Sequence, residues 1–161
     1  LDGGYVKWVK ESRPLSDNLP QAAPAHFSGR PRAATLDADE VQRGLGRPGR
    51  VIIDARSPDR FRGENETLDP LGGRIPGSVN RFYRDNLDAS GCFKPAGELR
   101  QAFSALLGAL PPEASVHSCG SGVSACHNLL AMEIAELSGS RLYPGSWSEW
   151  CSDPARPMEK G

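Results

Sequence analysis

Two rhythms of apolar residues alternate along this chain from about Thr35 onward, and together they predict strands separated by helices. Val51-Ile52-Ile53-Asp54 is a short apolar run suited to a buried strand, and Ser115 to Ser118 and Arg141 to Tyr143 are two more. Elsewhere the spacing widens to the helical period. Leu99, Phe103, Leu106, Leu107 and Leu110 form one stripe over Pro95 to Leu110, and Leu129, Leu130, Ile134 and Leu137 give an inward face to a helix from Val123 to Leu137. Asp37 can cap a short helix, Ala38 to Leu45, that ends near Gly46, and Pro58 suits the first turn of a brief one, Pro58 to Arg62. Gly72 to Asn80 reads as loop and short strand. Strands alternating with helices imply an α/β fold with helices on both faces of a mostly parallel sheet. In such sheets ligands bind beyond the carboxyl ends of the strands.

The first residues follow neither rhythm. Pro14 through Arg32 contains Pro14, Pro20, Pro24 and Pro31 with no periodic apolar face, the composition of a linker. Ahead of it, Leu1-Asp2-Gly3-Gly4-Tyr5-Val6-Lys7-Trp8 echoes Leu142-Tyr143-Pro144-Gly145-Ser146-Trp147-Ser148-Glu149-Trp150 once two one-residue gaps are allowed. Arg13-Pro14-Leu15 then echoes Arg156-Pro157-Met158. The echo predicts an internal duplication of about 140 residues, with the chain opening on the last element of a first copy. Residues 1–34 are then the remnant of a preceding domain plus linker, and 35–161 form one domain.

Composition narrows the function. Lys and Arg number 19 against 20 Asp and Glu, a net charge of -1, so bulk charge draws the chain to neither nucleic acid nor membrane. No apolar run approaches the ~18 residues that span a bilayer. Cys92, Cys119, Cys126 and Cys151 are widely spaced and form no Cys-x-x-Cys pair, which fits a cytoplasmic protein with free thiols and no structural metal. No cofactor is expected.

The chemistry concentrates in Val116-His117-Ser118-Cys119-Gly120-Ser121-Gly122-Val123-Ser124-Ala125-Cys126. A strand ends in a cysteine, two glycines follow within three residues, and a helix begins. That order aims a thiol at backbone N–H groups and a helix N-terminus, both of which favour the reactive thiolate. Cys119 is the candidate nucleophile. The opposing reading, a small buried hydrophobe, is the usual lot of a free cysteine, and the Gly-x-Gly loop tells against it.

With this loop stand Ile53-Asp54-Ala55-Arg56, Arg60-Phe61-Arg62-Gly63-Glu64, Gly73-Arg74-Ile75-Pro76-Gly77-Ser78-Val79-Asn80 and Tyr143-Pro144-Gly145-Ser146-Trp147-Ser148-Glu149-Trp150. As a set they resemble the rhodanese superfamily, specifically the catalytic C-terminal domain of two-domain sulfurtransferases, and the resemblance covers essentially the whole chain. It implies a three-layer α/β/α fold and a preceding rhodanese-like domain. Cys-Gly-Ser-Gly-Val-Ser at Cys119 to Ser124 is similar to the 3-mercaptopyruvate type, whereas thiosulfate users carry cations after the cysteine. The resemblance further implies a Cys119 persulfide, a small-molecule sulfur donor, and a thiol acceptor such as thioredoxin or a small thiol, or cyanide. Ser121 is implied in proton delivery, together with an Asp and a His of the preceding domain. Arg60 is implied in binding the donor carboxylate, beside the loop residues Gly120, Gly122, Val123 and Ser124. A second arginine usually stands nine residues after the first; here that position is Asp69. Relatives mostly carry histidine where Arg74 stands.

Other candidates read as structural. Arg56 belongs in an ion pair inside the fold, and His117 lies on the strand face opposite Ser118. Cys126 reads as a packed helical thiol more than as a resolving partner for Cys119. Cys92 and Cys151 have no functional context, and Trp147 and Trp150 suit core and rim packing. A related dual-specificity phosphatase needs Cys-x5-Arg, but six residues after Cys119 stands Ala125. Two alternatives stay open: thiosulfate:cyanide transfer, and a persulfide carrier without turnover.

Overall fold

The computed structural model describes residues 1–29 and 34–161. Pro31 and Arg32, the end of the predicted linker, lie outside the described residues. Among these residues four strands make one sheet: β1 (Val51–Asp54), β2 (Val79–Asn80), β3 (Ser115–Ser118) and β4 (Arg141–Leu142). All pair in parallel, in the order β2-β1-β3-β4, with Val51 to Asp54 facing Ser115 to Ser118 residue for residue. A bridge that the sequence pattern did not signal extends the edge: Leu36 N donates to Leu142 O at 2.8 Å and Leu142 N to Ala34 O at 2.7 Å. The chain leaves β1 to one side for β2 and returns on the other as β3. Connections therefore diverge between β1 and β3, and a crevice opens at the carboxyl ends of those two strands.

Among the described residues six α-helices accompany the sheet: α1 (Gly4–Lys10), α2 (Ala38–Arg43), α3 (Pro58–Arg62), α4 (Ala96–Leu107), α5 (Val123–Ile134) and α6 (Ser146–Trp150). Strand side chains alternate between two cores. Ile52 and Val116 meet Val41 of α2 and Trp147 and Trp150 of α6. On the other side Leu99, Phe103 and Leu107 of α4 pack with Ala131 and Met132 of α5. Each such buried apolar side chain stabilises the fold by roughly 1.5–3 kcal/mol. The predicted three-layer α/β architecture with an all-parallel sheet is what these elements build.

Element ends depart from the periodic reading where backbone chemistry intervenes. Asp37 and Glu40 form a reciprocal capping box that starts α2, but the helix stops at Arg43, before the expected Leu45. α4 stops at Leu107, not Leu110, because Gly108 leaves the helical region at φ 60. α5 ends at Ile134, short of Leu137. Its inner face is Ala125, Asn128, Ala131 and Met132; Leu130, expected inside, is 52% exposed. Small residues face inward here because α5 lies close against β3 and the cleft. The echoing segments at the two ends both fold as short helices, α1 and α6. α6 buries both its tryptophans, and neither sits at a rim, whereas α1 buries none of its residues.

Candidate active site

Cys119 follows the last residue of β3 and sits at the crevice between β1 and β3, 3% exposed. Its side chain packs with Ala55, just past β1, and Ala125, on the first turn of α5. The loop is fixed from outside. Cys119 N donates to Ser146 Oγ at 3.0 Å, and Ser146 Oγ donates to Tyr143 O at 2.9 Å. The N–H groups of Trp147 and Ser148 donate to Cys119 O and Gly120 O at 3.0 and 2.9 Å. With its carbonyls held by α6, the loop turns its own amides the other way. Among the described residues, the N–H groups of Gly120, Ser121 and Gly122 have no acceptor. They are free donors in the loop that follows Cys119, and such unpaired backbone amides can stabilise an anion.

Gly122 makes the turn into α5 possible. Its φ is 82, and a Cβ there would stand 2.6 Å from Pro144 O. Only glycine meets both conditions without displacing backbone. Gly120 carries no positive φ, so the expectation that glycine is needed for conformation applies at Gly122. At Gly120 a Cβ would meet Arg60 Nη2 at 3.5 Å, an ordinary contact, so space does not demand glycine there.

A cleft of about 540 Å³ opens above the thiol, and Arg60, Tyr83, Ser121 and Ser124 share its wall with Cys119. The structure thus brings Cys119, Gly120, Ser121, Ser124 and Arg60 to one place. Val123 begins α5 but its side chain is 75% exposed, and Gly122 serves the turn behind the thiol. Arg60 is already engaged: Nη2 lies 2.8 Å from Glu66 Oε1 and 3.4 Å from Asp69 Oδ2. Burial pushes the Glu66 carboxyl up, but hydrogen bonds from Arg60 and from the Leu68 and Asp69 amides outweigh it and hold the group below its ordinary range. Glu66 is a site residue that sequence reasoning missed; its signal was the acid-rich stretch following the Arg60 segment.

Arg56 is in the ion pair predicted for it. Its Nη2 donates to Asp54 Oδ2 and to Gly73 O, each at 2.7 Å, and the two side chains are 1% and 3% exposed. Its guanidinium also stacks 5.1 Å from the Trp147 ring centre. His117 is buried on the opposite strand face, with burial driving its pKa down to about 4, so the ring is neutral. Arg74, without an assigned role from sequence, pairs with Glu159 and lies over the Phe61 ring. Cys126 corrects an expectation: it is exposed, not packed, and its thiol donates to Gly122 O at 3.3 Å. Its place early in α5, on the side away from the sheet, leaves it in solvent. Among the described residues no group of three His, Cys, Asp or Glu side chains is arranged to hold a metal ion.

Fold and site together define a doubly wound α/β domain with a thiol at the point where its connections diverge. The chain belongs to the rhodanese-like domain family, whose model matches residues 37–153. It is 46% identical over its whole length to a Pseudomonas aeruginosa protein named "Probable 3-mercaptopyruvate sulfurtransferase", of which it covers 57%. It is 35% identical to human 3-mercaptopyruvate sulfurtransferase, covering 93% of this chain and 51% of that protein. Chicken thiosulfate sulfurtransferase is 32% identical, with 93% and 52% covered. The chain therefore spans just over half the length of these curated relatives. Its fold matches the anaerobic ergothioneine biosynthesis enzyme of Chlorobium limicola at a TM-score of 0.84, with 22% identity, over 100% of this chain and 41% of that one. Among the described residues no helix is long and apolar enough to cross a membrane.

Proposed function

We propose that this domain is a sulfurtransferase that moves a sulfane sulfur from 3-mercaptopyruvate, through a Cys119 persulfide, to a thiol or cyanide. The observation that carries the reading is the placement of Cys119 beneath three unclaimed loop amides in the cleft shared with Arg60. The Cys119 thiolate attacks the donor sulfur, and the carbon–sulfur bond breaks with its electron pair going to carbon. The pyruvate enolate so formed takes a proton, and the new sulfur–sulfur bond leaves a persulfide on Cys119. An acceptor thiolate then attacks the outer sulfur and returns Cys119 to its thiolate. The amides of Gly120, Ser121 and Gly122, continued by those of Val123 and Ser124 at the start of α5, stabilise thiolate and persulfide alike. Ser121, exposed in the cleft, is positioned to relay the enolate's proton. Arg60 supplies positive charge next to Gly120 for the donor's carboxylate.

Residues 1–34 are read as the remnant of a preceding rhodanese-like domain plus linker. The uncovered α1, its echo in α6 and the half-length match to the relatives support this. A small thiol or thioredoxin is the acceptor of choice, in the cytoplasm. Thiosulfate transfer, the activity in the chicken relative's name, suits this site less well. Residues 119–124 contain no cation, and Asp69 puts a negative charge on the cleft wall that opposes a dianion.

Intact-mass spectrometry after incubation with each donor tests the proposal. One sulfur, about 32 Da on a covalent nucleophile, should appear with 3-mercaptopyruvate, map to Cys119, and vanish in Cys119→Ser. An adduct that survives that substitution overturns it.

A further inference from the structure

One charged side chain of the cleft has no part in the chemistry above. Arg84 lines the same cavity as Cys119 and is exposed. The other two guanidinium groups there are committed. Arg56 is bound by Asp54 and Glu66, and Arg60 by Glu66 and Asp69. Among the described residues no carboxylate lies within ion-pair distance of Arg84; its Nε instead donates to the Tyr83 hydroxyl at 3.1 Å. Among the charged side chains that line the cleft, Arg56, Arg60, Asp69 and Arg84, it is Arg84 whose positive charge is unspent.

The backbone beneath Arg84 is stiff enough to make its position meaningful. Arg84 sits on one turn of 3-10 helix, Tyr83–Asn86, directly past β2. Arg81 N donates to Asp54 O at 2.9 Å and Tyr83 N to Ala55 O at 3.2 Å, so the turn is tied to the end of β1. Asn86, fully buried, donates to Asn128 Oδ1 at 2.6 Å and accepts from Arg81 Nε at 3.2 Å. Asn128 in turn donates to Arg81 O at 2.9 Å. The Tyr83 ring packs on the cluster of Ala55, Cys119 and Ala125. Arg84's guanidinium carbon lies 5.8 Å from the centre of that ring. A single aromatic residue thus touches the thiol's surroundings on one side and the free guanidinium on the other.

We propose that Arg84 acts beside Arg60 as a second cation for the donor carboxylate in this cleft and selects monoanionic, carboxylate-bearing sulfur donors. The guanidinium fork donates bidentately to a carboxylate, and its spacing from Cys119 through one tyrosine ring suits a short donor with sulfur at one end and carboxylate at the other. The assignment rests on the sulfurtransferase reading and names a further residue that recognises its substrate.

The test compares wild type, Arg84→Gln and Arg84→Lys on 3-mercaptopyruvate and on mercaptoacetone, the same thiol ketone without the carboxylate. The readouts are release of pyruvate from 3-mercaptopyruvate or of acetone from mercaptoacetone, and single-turnover formation of the Cys119 persulfide. Arg84→Gln should raise KM for 3-mercaptopyruvate about tenfold to a hundredfold, the value of a charged hydrogen bond, with kcat within about threefold. Arg84→Lys should recover part of the loss. On mercaptoacetone all three proteins should behave alike, since no carboxylate is present to be held. Unchanged KM in Arg84→Gln overturns the assignment, and so does an equal loss on both donors, which would mark a structural role. If the wild type forms no persulfide from 3-mercaptopyruvate, the sulfurtransferase reading falls and takes this assignment with it. A persulfide with unchanged Arg84→Gln kinetics sinks the assignment alone.

Discussion

Replacing Arg56 with methionine removes a buried cation while keeping a side chain of similar length, and the structure fixes what is left behind. Asp54, 2% exposed, loses the hydrogen bonds from Arg56 Nε and Nη2 and keeps the one from the Arg56 backbone amide. Gly73 O loses its donor, and Glu66 keeps Arg60. The cost is that of a buried carboxylate deprived of its charge partner, about 3–5 kcal/mol. Against a domain stability of roughly 5–15 kcal/mol, the variant remains folded but much weakened. Urea unfolding followed by fluorescence of the buried Trp147 and Trp150 measures it directly. Adding Asp54→Asn to Arg56→Met should restore part of the loss, because the stranded charge is then gone. A loss under about 1 kcal/mol in the single variant, or no recovery in the double, would refute the claim that this pair is held together by charge in a dry site.

Gly122→Ala should lower stability by at least about 2 kcal/mol, from the positive φ and the required shift against Pro144 O. It should also slow persulfide formation; an unchanged urea midpoint would show that the turn is softer than its geometry implies. His117 gives a pH signature. Its native pKa of about 4 lies below the ordinary value near 6.5, so the unfolded chain binds more protons between those limits. Its contribution is complete above about pH 6.5 and is lost as pH falls through about 4, in total roughly 3 kcal/mol. Subtracting the unfolding profile of His117→Leu from that of wild type should isolate this slope. Superimposable profiles would exclude it.

The strands and the position of the Cys119 loop at a strand end were legible because their signals are local. Val51 to Asp54 and Ser115 to Ser118 are apolar or β-prone runs bounded by turn residues, and the Cys119 loop carries its glycines in sequence. The inner face of α5 was misread because periodicity weights leucine above alanine. Close packing against β3 admits Ala125, Ala131 and Asn128, and sends Leu130 to solvent. Cys126 was misplaced for the same reason. The charge environment was also out of reach. Arg60's commitment to Glu66, and the availability of Arg84, are decided by side chains that only the folded loops bring together. Sequence identifies Asp69 as an absent cation; only geometry shows that it is also an added anion on Arg60.

The hold of α6 on the Cys119 loop orders events during synthesis. The ribosome delivers Cys119 before Ser146, Trp147 and Ser148, the residues whose hydroxyl and amides fix the loop. Until that last stretch has emerged, the amides beside the thiol have no reason to converge, and the cysteine remains chemically ordinary. The nascent chain therefore carries Cys119 in an unformed loop, which takes its folded shape only when the sheet, both cores and the closing helix are complete.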